Sequence, residues 1–210
     1  MERIRQTKLP LALKVLFTAF MAAFAPSYWY LYGPTNFLYF CNVGLLLTLI
    51  GIWTEKPFPI SMAAVGVTLP SVVWIADFSL QLFGSHLIGM TNYMFDEMNP
   101  LIIRSLALFH FWLPLLLIWL VIRLGYDSRA VVAWIATAWI LIIICYLWMP
   151  ASAADTTEPY TPYNINYAYG LRGKQTTMPE IAWLIVVMLL QPIAAVAPMH
   201  WFFKRFARPA

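Results

Sequence analysis

Charged residues are scarce in this chain of 210 residues. Asp, Glu, Lys and Arg make up 10% of it, whereas a soluble domain carries roughly 25%. Hydrophobic residues make up 62%, and no long polar stretch interrupts them. A separate soluble domain is therefore excluded, and residues 1–210 are expected to form one membrane-embedded domain. The net charge of +4 comes from scattered basic residues that form no patch, so nucleic acid is not an expected partner.

Cysteine is rare too, and the familiar catalytic motifs are missing. Cys41 and Cys145 both lie in apolar segments, where buried free thiols are expected, and two cysteines make neither a zinc site nor a disulfide framework. The histidines His86, His110 and His200 do not form the pairs that bind haem, and no His/Glu spacing indicates a metal. GxSxG, HExxH and Gly-rich phosphate loops do not occur. We therefore expect no cofactor and no metal.

Long apolar segments are what the chain has in abundance. A membrane-spanning helix needs about 20 apolar residues, and six segments meet or approach that length. The sequence thus predicts an all-α, multi-pass bundle of six transmembrane helices. The first apolar run ends in Tyr-Trp-Tyr without a small-residue cleavage site, so it is expected to stay as a helix rather than be removed as a signal peptide. The predicted helices cover residues 11–32, 37–53, 59–83, 101–124, 130–148 and 181–203, the second and fifth being short.

The basic residues predict the orientation. With six helices, most Lys and Arg fall on one side, which the positive-inside rule makes cytoplasmic. Both termini are then cytoplasmic, and we expect the protein in a bacterial inner (plasma) membrane. The longest outer connection, 149–180, is rich in tyrosine; it could fold over the outer face as a lid or be a solvated connector. The basic residues on the predicted inner side are Arg3, Arg5, Lys8, Lys56, Arg123, Arg129, Lys204, Arg205 and Arg208.

Polar residues interrupt three apolar segments at nearly the same predicted depth. Asn42, Asp77 and Arg104 each lie roughly 6–9 Å below the outer interface, given a rise of about 1.5 Å per residue. Charges in hydrocarbon are costly, so Asp77 and Arg104 are expected to pair, with Asn42 as a hydrogen-bond partner of either. The pair could serve a binding site or only hold two helices together. Arg104 could also extend to the outer head groups.

Two further polar residues lie deeper in the predicted bundle. His110 and Gln191 fall at roughly 15 Å, near the bilayer midplane. Arg104 and His110 are six positions apart on one predicted helix, which places them on different faces. This spacing disfavours a tight catalytic cluster of the two.

Several segments resemble known families. LALFHFWLPLLLIWLVIRLGYDSRA and NINYAYG resemble a group of uncharacterised bacterial six-helix membrane-associated proteins. More distantly, FLYFCN, FHFWLP and GYDSR are similar to motifs of the androgen-induced membrane hydrolases, which cleave branched fatty-acid esters within the bilayer. That family looks like a six-helix bundle with a nucleophilic Thr on helix two and a His on helix four. The resemblance implies that His110 corresponds to this histidine; Tyr39 stands at the threonine position, and Thr35 lies at the interface.

Three functions are consistent with these features. The first is a membrane protein whose outward-facing pocket binds a lipid or another amphiphile through Asn42, Asp77, Arg104 and Gln191. Arg104 would meet an anionic head group, and Asp77 would orient Arg104. The second is an intramembrane lipid hydrolase or acyltransferase with His110 as general base and Thr35 or Tyr39 as nucleophile. The third is an accessory subunit of a larger membrane complex. The expected partners are membrane lipids and, in the third case, other membrane subunits.

Overall fold

Helices that run lengthwise through the molecule make up most of the chain. The structure, a computed structural model, describes residues 9–156 and 160–210. Over both stretches the predicted all-α fold is confirmed, since neither contains a strand. A π-helical turn, Pro192–Val196, joins the last two helices. The α-helices are α1 (Leu11–Tyr32), α2 (Phe40–Thr54), α3 (Pro57–Leu82), α4 (Asn92–Phe95), α5 (Leu101–Ala107), α6 (Phe109–Leu124), α7 (Ala130–Trp148), α8 (Glu180–Gln191) and α9 (Ala197–Phe206).

Five helical stretches of the described chain are long and apolar enough to cross a membrane. α2 is not among them, because it has only 15 residues. The predicted span 37–53 is corrected to Phe40–Thr54, since Pro34–Leu38 forms a 3-10 turn after Gly33, whose positive φ of 73° ends α1. The five stretches are Leu11–Tyr32, Pro57–Leu82, Leu101–Leu124, Ala130–Trp148 and Glu180–Phe206.

Two of the predicted helices are interrupted. The helix expected over 101–124 divides at Leu108 into α5 and α6. The helix expected over 181–203 contains the π-helical turn that begins at Pro192. Proline has no N–H to donate to the carbonyl one turn earlier. The Trp139 indole N–H donates to that carbonyl, at Met188, over 2.8 Å and so satisfies it.

α3 is the central helix of the bundle. Every residue from Pro59 to Thr68 is buried, and α3 packs against α2, α6, α7 and the segment joining α8 to α9. Glycines allow this close packing, as expected where apolar helices associate without a hydrophobic driving force between them. A Cβ on Gly44 of α2 would meet the Val67 side chain at 2.8 Å, and one on Gly66 would overlap the Trp134 indole of α7.

The described basic residues that define the orientation lie at one end of the bundle, which we call the basic end. Lys14 of α1 forms an ion pair there with Glu55, the residue that ends α2. The basic residues at the helix ends and turns of the basic end are Lys56, Arg123, Arg129, Lys204, Arg205 and Arg208. Three others used in the orientation argument fall outside the described residues: Arg3, Arg5 and Lys8.

Three connections cover the opposite end, which we call the capped end. They are residues 33–39 before α2, residues 83–100 after α3, and residues 149–156 and 160–179 before α8. Asn42, Asp77 and Arg104, which interrupt the apolar segments, lie on helices that begin or end here. The capped end is therefore where a candidate site is to be sought.

Replacing Gly66 by Ala tests the close approach of α3 and α7. The added Cβ would overlap the Trp134 indole, and we expect Gly66→Ala to destabilise the protein by about 1–3 kcal/mol through overpacking. Thermal unfolding in detergent measures the loss. In a Trp134→Ala background the same substitution should cost much less, and an equal cost in both backgrounds would show that the two residues are not in contact.

Candidate functional site

The Asp77 carboxylate is held by the connection that follows its own helix. Its Oδ1 accepts backbone N–H groups from Leu87 (2.7 Å), Ile88 (2.9 Å) and Gly89 (3.1 Å). Its Oδ2 accepts the N–H (3.0 Å) and the hydroxyl (2.8 Å) of Thr91. Asp77 is fully buried by these contacts. Dipoles of N–H and O–H groups thus compensate its negative charge, as they do in anion-binding turns.

Asp77 and Arg104 do not form the expected ion pair. Arg104 instead donates from Nη1 to the Met94 carbonyl over 3.3 Å, and its Nε is buried without a partner among the described residues. The prediction failed because the connection that follows α3 folds back over Asp77. Its backbone N–H groups compensate the charge of the carboxylate, so no cation is required. The ion pairs found in residues 9–156 and 160–210 are Lys14–Glu55, Arg129–Asp127 and Lys174–Glu180.

Asn42 also has a partner other than the expected ones. Its Nδ2 donates to the Asn36 carbonyl over 2.7 Å, and its Oδ1 lies 3.7 Å from the Cys41 thiol. Asn42 therefore fastens the first turn of α2 to the 3-10 turn that precedes it, and it bonds neither Asp77 nor Arg104. The Asn36 carbonyl is available as this acceptor because Pro34–Leu38 forms a 3-10 turn instead of extending α2.

His110 is buried in an aromatic stack. Its ring lies parallel to the Trp74 indole at 4.5 Å and against Phe109 at 4.0 Å. Nδ1 lies 2.8 Å from the Ala107 carbonyl. A carbonyl can only accept, so Nδ1 carries the proton and Nε2 of the neutral ring is left as an acceptor.

The other residues predicted for the site are dispersed. Gln191 is buried at the end of α8, and neither atom of its amide has a partner within the described chain. Thr35 lies half-buried in the 3-10 turn, and Tyr39 follows that turn. Within the described ranges no hydrogen bond joins either hydroxyl to His110, so the structure does not assemble a nucleophile and base from these residues.

Asn166 attaches the tyrosine-rich connection to the start of α2. Its Nδ2 donates to the Leu38 carbonyl (2.8 Å), and its Oδ1 accepts the Phe40 N–H (3.0 Å). Phe40 is the first residue of α2, so Asn166 satisfies a helix N-terminus from 126 residues away. Asn166 has a φ of 54°, in the left-handed region that asparagine tolerates better than most residues.

The same connection contacts the segment that follows α3. The Tyr160 hydroxyl donates to the Met98 carbonyl over 3.0 Å, and Arg172 donates to the Leu87 carbonyl over 2.8 Å. The Trp183 indole of α8 donates to the Tyr167 carbonyl over 2.9 Å. The connection thus lies across the capped end, in the position that a lid would occupy. Whether it opens and closes stays a prediction.

Four tyrosines lie around Cys41 at the capped end, and a fifth, Tyr32, packs against one of them, Tyr28, with ring centroids 5.4 Å apart. Tyr28, Tyr39 and Tyr93 each lie within electrostatic range of the Cys41 thiol, as does Tyr167 from the tyrosine-rich connection. Most of them were missed in the sequence because they come from four separate segments, and the tyrosines of α1 resemble an ordinary interfacial belt. We call the following group the tyrosine cluster: Tyr28, Tyr32, Tyr39, Cys41, Tyr93 and Tyr167.

Part of the tyrosine cluster keeps accessible surface despite its depth. Tyr39, Cys41 and Tyr93 are surrounded by protein, yet each retains some accessible area. Within the described chain the hydroxyls of Tyr39 and Tyr167 have no hydrogen-bond partner and are not sealed off. By contrast, the Tyr28 hydroxyl donates to a backbone carbonyl over 3.2 Å. Deep hydroxyls normally have a partner, so these two are available to a molecule from outside the chain.

The cluster presents neutral hydrogen-bond donors. Burial is the main factor that raises the pKa of Tyr93 and of Tyr167 far above the usual range for tyrosine. Both phenols therefore stay protonated at any physiological pH. No group of His, Cys, Asp and Glu residues in the described stretches is arranged to hold a metal ion.

Comparison with known proteins adds no relative: no family model, no curated protein and no solved structure matches this chain. The two family resemblances described above therefore stay predictions.

A double-mutant cycle tests the separate roles of Asp77 and Arg104. Asp77→Ala leaves four backbone N–H groups without their acceptor, and bonds to a charged group contribute about 1.5–3 kcal/mol each. We expect this variant to lower the free energy of unfolding by at least about 3 kcal/mol, with Asp77→Asn intermediate. The Arg104→Ala effect should add to it within about 0.5 kcal/mol. A coupling above that value would indicate an ion pair.

Proposed function

We propose that this protein is a multi-pass inner-membrane protein that binds a lipid or another amphiphile at the tyrosine cluster, with the capped end facing outward. The observation that carries the proposal is the pair of unpartnered, accessible hydroxyls on Tyr39 and Tyr167. These groups lie where apolar helices meet polar connections, which suits a ligand with an apolar chain and a polar head.

The proposed orientation rests on charge and on the course of α2. The basic end gathers Lys and Arg, which favour the cytoplasmic side. α2 is short, but it runs from the capped end, where Asn166 bonds its first residue, to the basic end, where Glu55 pairs with Lys14. Its 15 residues extend about 22 Å, and the 3-10 turn before it adds length. We therefore propose six crossings with both termini cytoplasmic.

The residues of the original polar layer have supporting roles in this proposal. Asp77 fixes the connection after α3, and Asn42 fixes the turn before α2. Both therefore shape the surroundings of the tyrosine cluster without meeting the ligand. Binding is proposed rather than hydrolysis, because no hydroxyl or thiol of the described chain is hydrogen-bonded to His110 as a nucleophile would be.

Cysteine labelling in intact cells tests the topology. Ser85→Cys places a thiol at the capped end, and Ser128→Cys places one at the basic end; both positions are exposed. A membrane-impermeant maleimide should label Ser85→Cys in intact cells and Ser128→Cys only after the membrane is opened. If both positions label in intact cells, the stretch Leu101–Leu124 between them does not cross the membrane as proposed. The reverse pattern would contradict an outward-facing capped end.

Photo-crosslinking tests the binding site. The probes are two diazirine-bearing monoacyl lipids with the same chain, one with a phosphocholine head and one with a glycerol head. We expect at least one of them to label peptides that carry Tyr39 or Tyr167, and Tyr39→Phe and Tyr167→Phe to reduce that labelling. Neither substitution should change the melting temperature of the ligand-free protein, because neither hydroxyl bonds the protein.

Tyr28→Phe is the matched control for these substitutions. It removes a hydroxyl that donates to the Ile103 carbonyl, so it should lower the melting temperature. Labelling confined to the outer surfaces of the helices, and unchanged in Tyr39→Phe and Tyr167→Phe, would contradict a binding site at the tyrosine cluster.

A further inference from the structure

We infer that the head group bound at the tyrosine cluster is uncharged and carries both an oxygen that accepts hydrogen bonds and a hydroxyl that donates one. This inference rests on the proposed function and specifies its ligand. It differs from the expectation drawn from the sequence, in which Arg104 would meet an anionic head.

The charges around the cluster disfavour an anion. Two carboxylates act on phenols of the cluster, Asp96 on Tyr32 and Asp77 on Tyr167. The Arg104 guanidinium donates from Nη1 to the Met94 carbonyl, and its Nε is sealed from solvent. A buried anion without a cation or several N–H donors is costly. An anionic head would therefore meet like charge, with the Arg104 guanidinium already bonded to Met94.

A cationic head group is also disfavoured. The Asp77 carboxylate already accepts five hydrogen bonds from the connection after α3. Asp96 accepts bonds from Met98 and Asn99 in its own turn. Neither carboxylate is left to pair with a cationic ligand, whose charge would lose its hydration without a replacement.

The available protein groups define the polar atoms of the ligand. The free hydroxyls of Tyr39 and Tyr167 can donate to ether, ester or carbonyl oxygens of a neutral head. His110 offers the complementary group, because its Nδ1 proton is used on Ala107 and its Nε2 accepts. That nitrogen is neither bonded nor sealed off in the described structure.

His110 lies next to the tyrosine cluster. The Trp74 ring stacks on His110 and also packs against Tyr93, which is within range of Cys41 and Tyr39. We therefore assign His110 to the inner side of the same site. Phe24 and Phe109, whose ring centroids lie 5.7 Å apart, are buried and pack behind it.

Two kinds of membrane amphiphile share this chemistry. An acylglycerol presents ester oxygens and a free hydroxyl, and a quinol presents phenolic hydroxyls and ether oxygens on a flat ring. Both are uncharged, and the experiment below distinguishes them.

The test compares two uncharged amphiphiles with an anionic one that shares its acyl chains with the first. Binding to the purified protein in neutral detergent is measured for dioctanoylglycerol, for dioctanoyl phosphatidic acid with the same chains, and for decylubiquinol. We expect dioctanoylglycerol or decylubiquinol to bind at least about tenfold more tightly than the phosphatidic acid. Equal or tighter binding of phosphatidic acid overturns the inference and leaves the proposed function standing. Binding of none of the three overturns both.

Two further comparisons locate the preferred ligand. Tyr167→Phe should weaken its binding roughly five- to tenfold, as expected for one lost hydrogen bond, and the fold should persist because that hydroxyl has no protein partner. Replacing the ligand's hydroxyl by a methyl ether should weaken binding to the wild-type protein by a similar factor, because Nε2 of His110 then has no proton to accept. Unchanged affinity in either comparison contradicts the corresponding contact.

Discussion

The hydrogen bonds of the Asp77 carboxylate organise the capped end of this bundle. Irregular backbone near a membrane is tolerated only where its polar groups are satisfied within the protein or by water. Asp77 satisfies four N–H groups of the connection after α3 at once. With that connection fixed, α4 brings Tyr93 against Trp74. Asn166 likewise satisfies the Leu38 carbonyl and the Phe40 N–H at the start of α2. The tyrosine cluster depends on both attachments.

This arrangement explains why the charges of the polar layer are not paired with each other. A buried carboxylate needs compensation, and either a cation or a set of N–H dipoles can provide it. Asp77 uses dipoles, so Arg104 is not required to neutralise it. Because the cap contains the compensation for Asp77, the phenols of Tyr39 and Tyr167 and the Nε2 of His110 are left without partners in the described chain. The electrostatic character of the site thus follows from how the chain closes over α3.

Hydropathy and length predicted the helices well where apolar runs have clear borders. The helices predicted at 11–32 and 130–148 agree with α1 and α7 residue for residue. The start of α2 could not be predicted in the same way, because Phe37 and Leu38 are apolar but belong to a 3-10 turn. The break at Leu108 likewise has no signal in hydropathy. Both borders depend on backbone geometry that composition does not record.

The candidate site was predictable only in part. Burial of Asn42 and Asp77 follows from their positions in apolar segments, and the structure finds both buried. Their partners are backbone groups of connections, which no residue type in the sequence identifies. Gly84 and Gly89, with φ of 77° and 80°, were local signals of a turn after α3, and the Gly89 N–H is one of the groups that bond the carboxylate. The tyrosine cluster required the fold itself, because its members are brought together from distant segments.

Identification of the lipid that stays with the protein through purification in mild detergent is the most direct test of a neutral-head site at the capped end. Mass spectrometry of the intact complex, followed by extraction, gives both its stoichiometry and its head group. An uncharged amphiphile bound one to one, and lost in Tyr39→Phe combined with Tyr167→Phe, is the predicted result. Retention of only anionic phospholipids, in variable numbers and equally by wild type and the double variant, would contradict it.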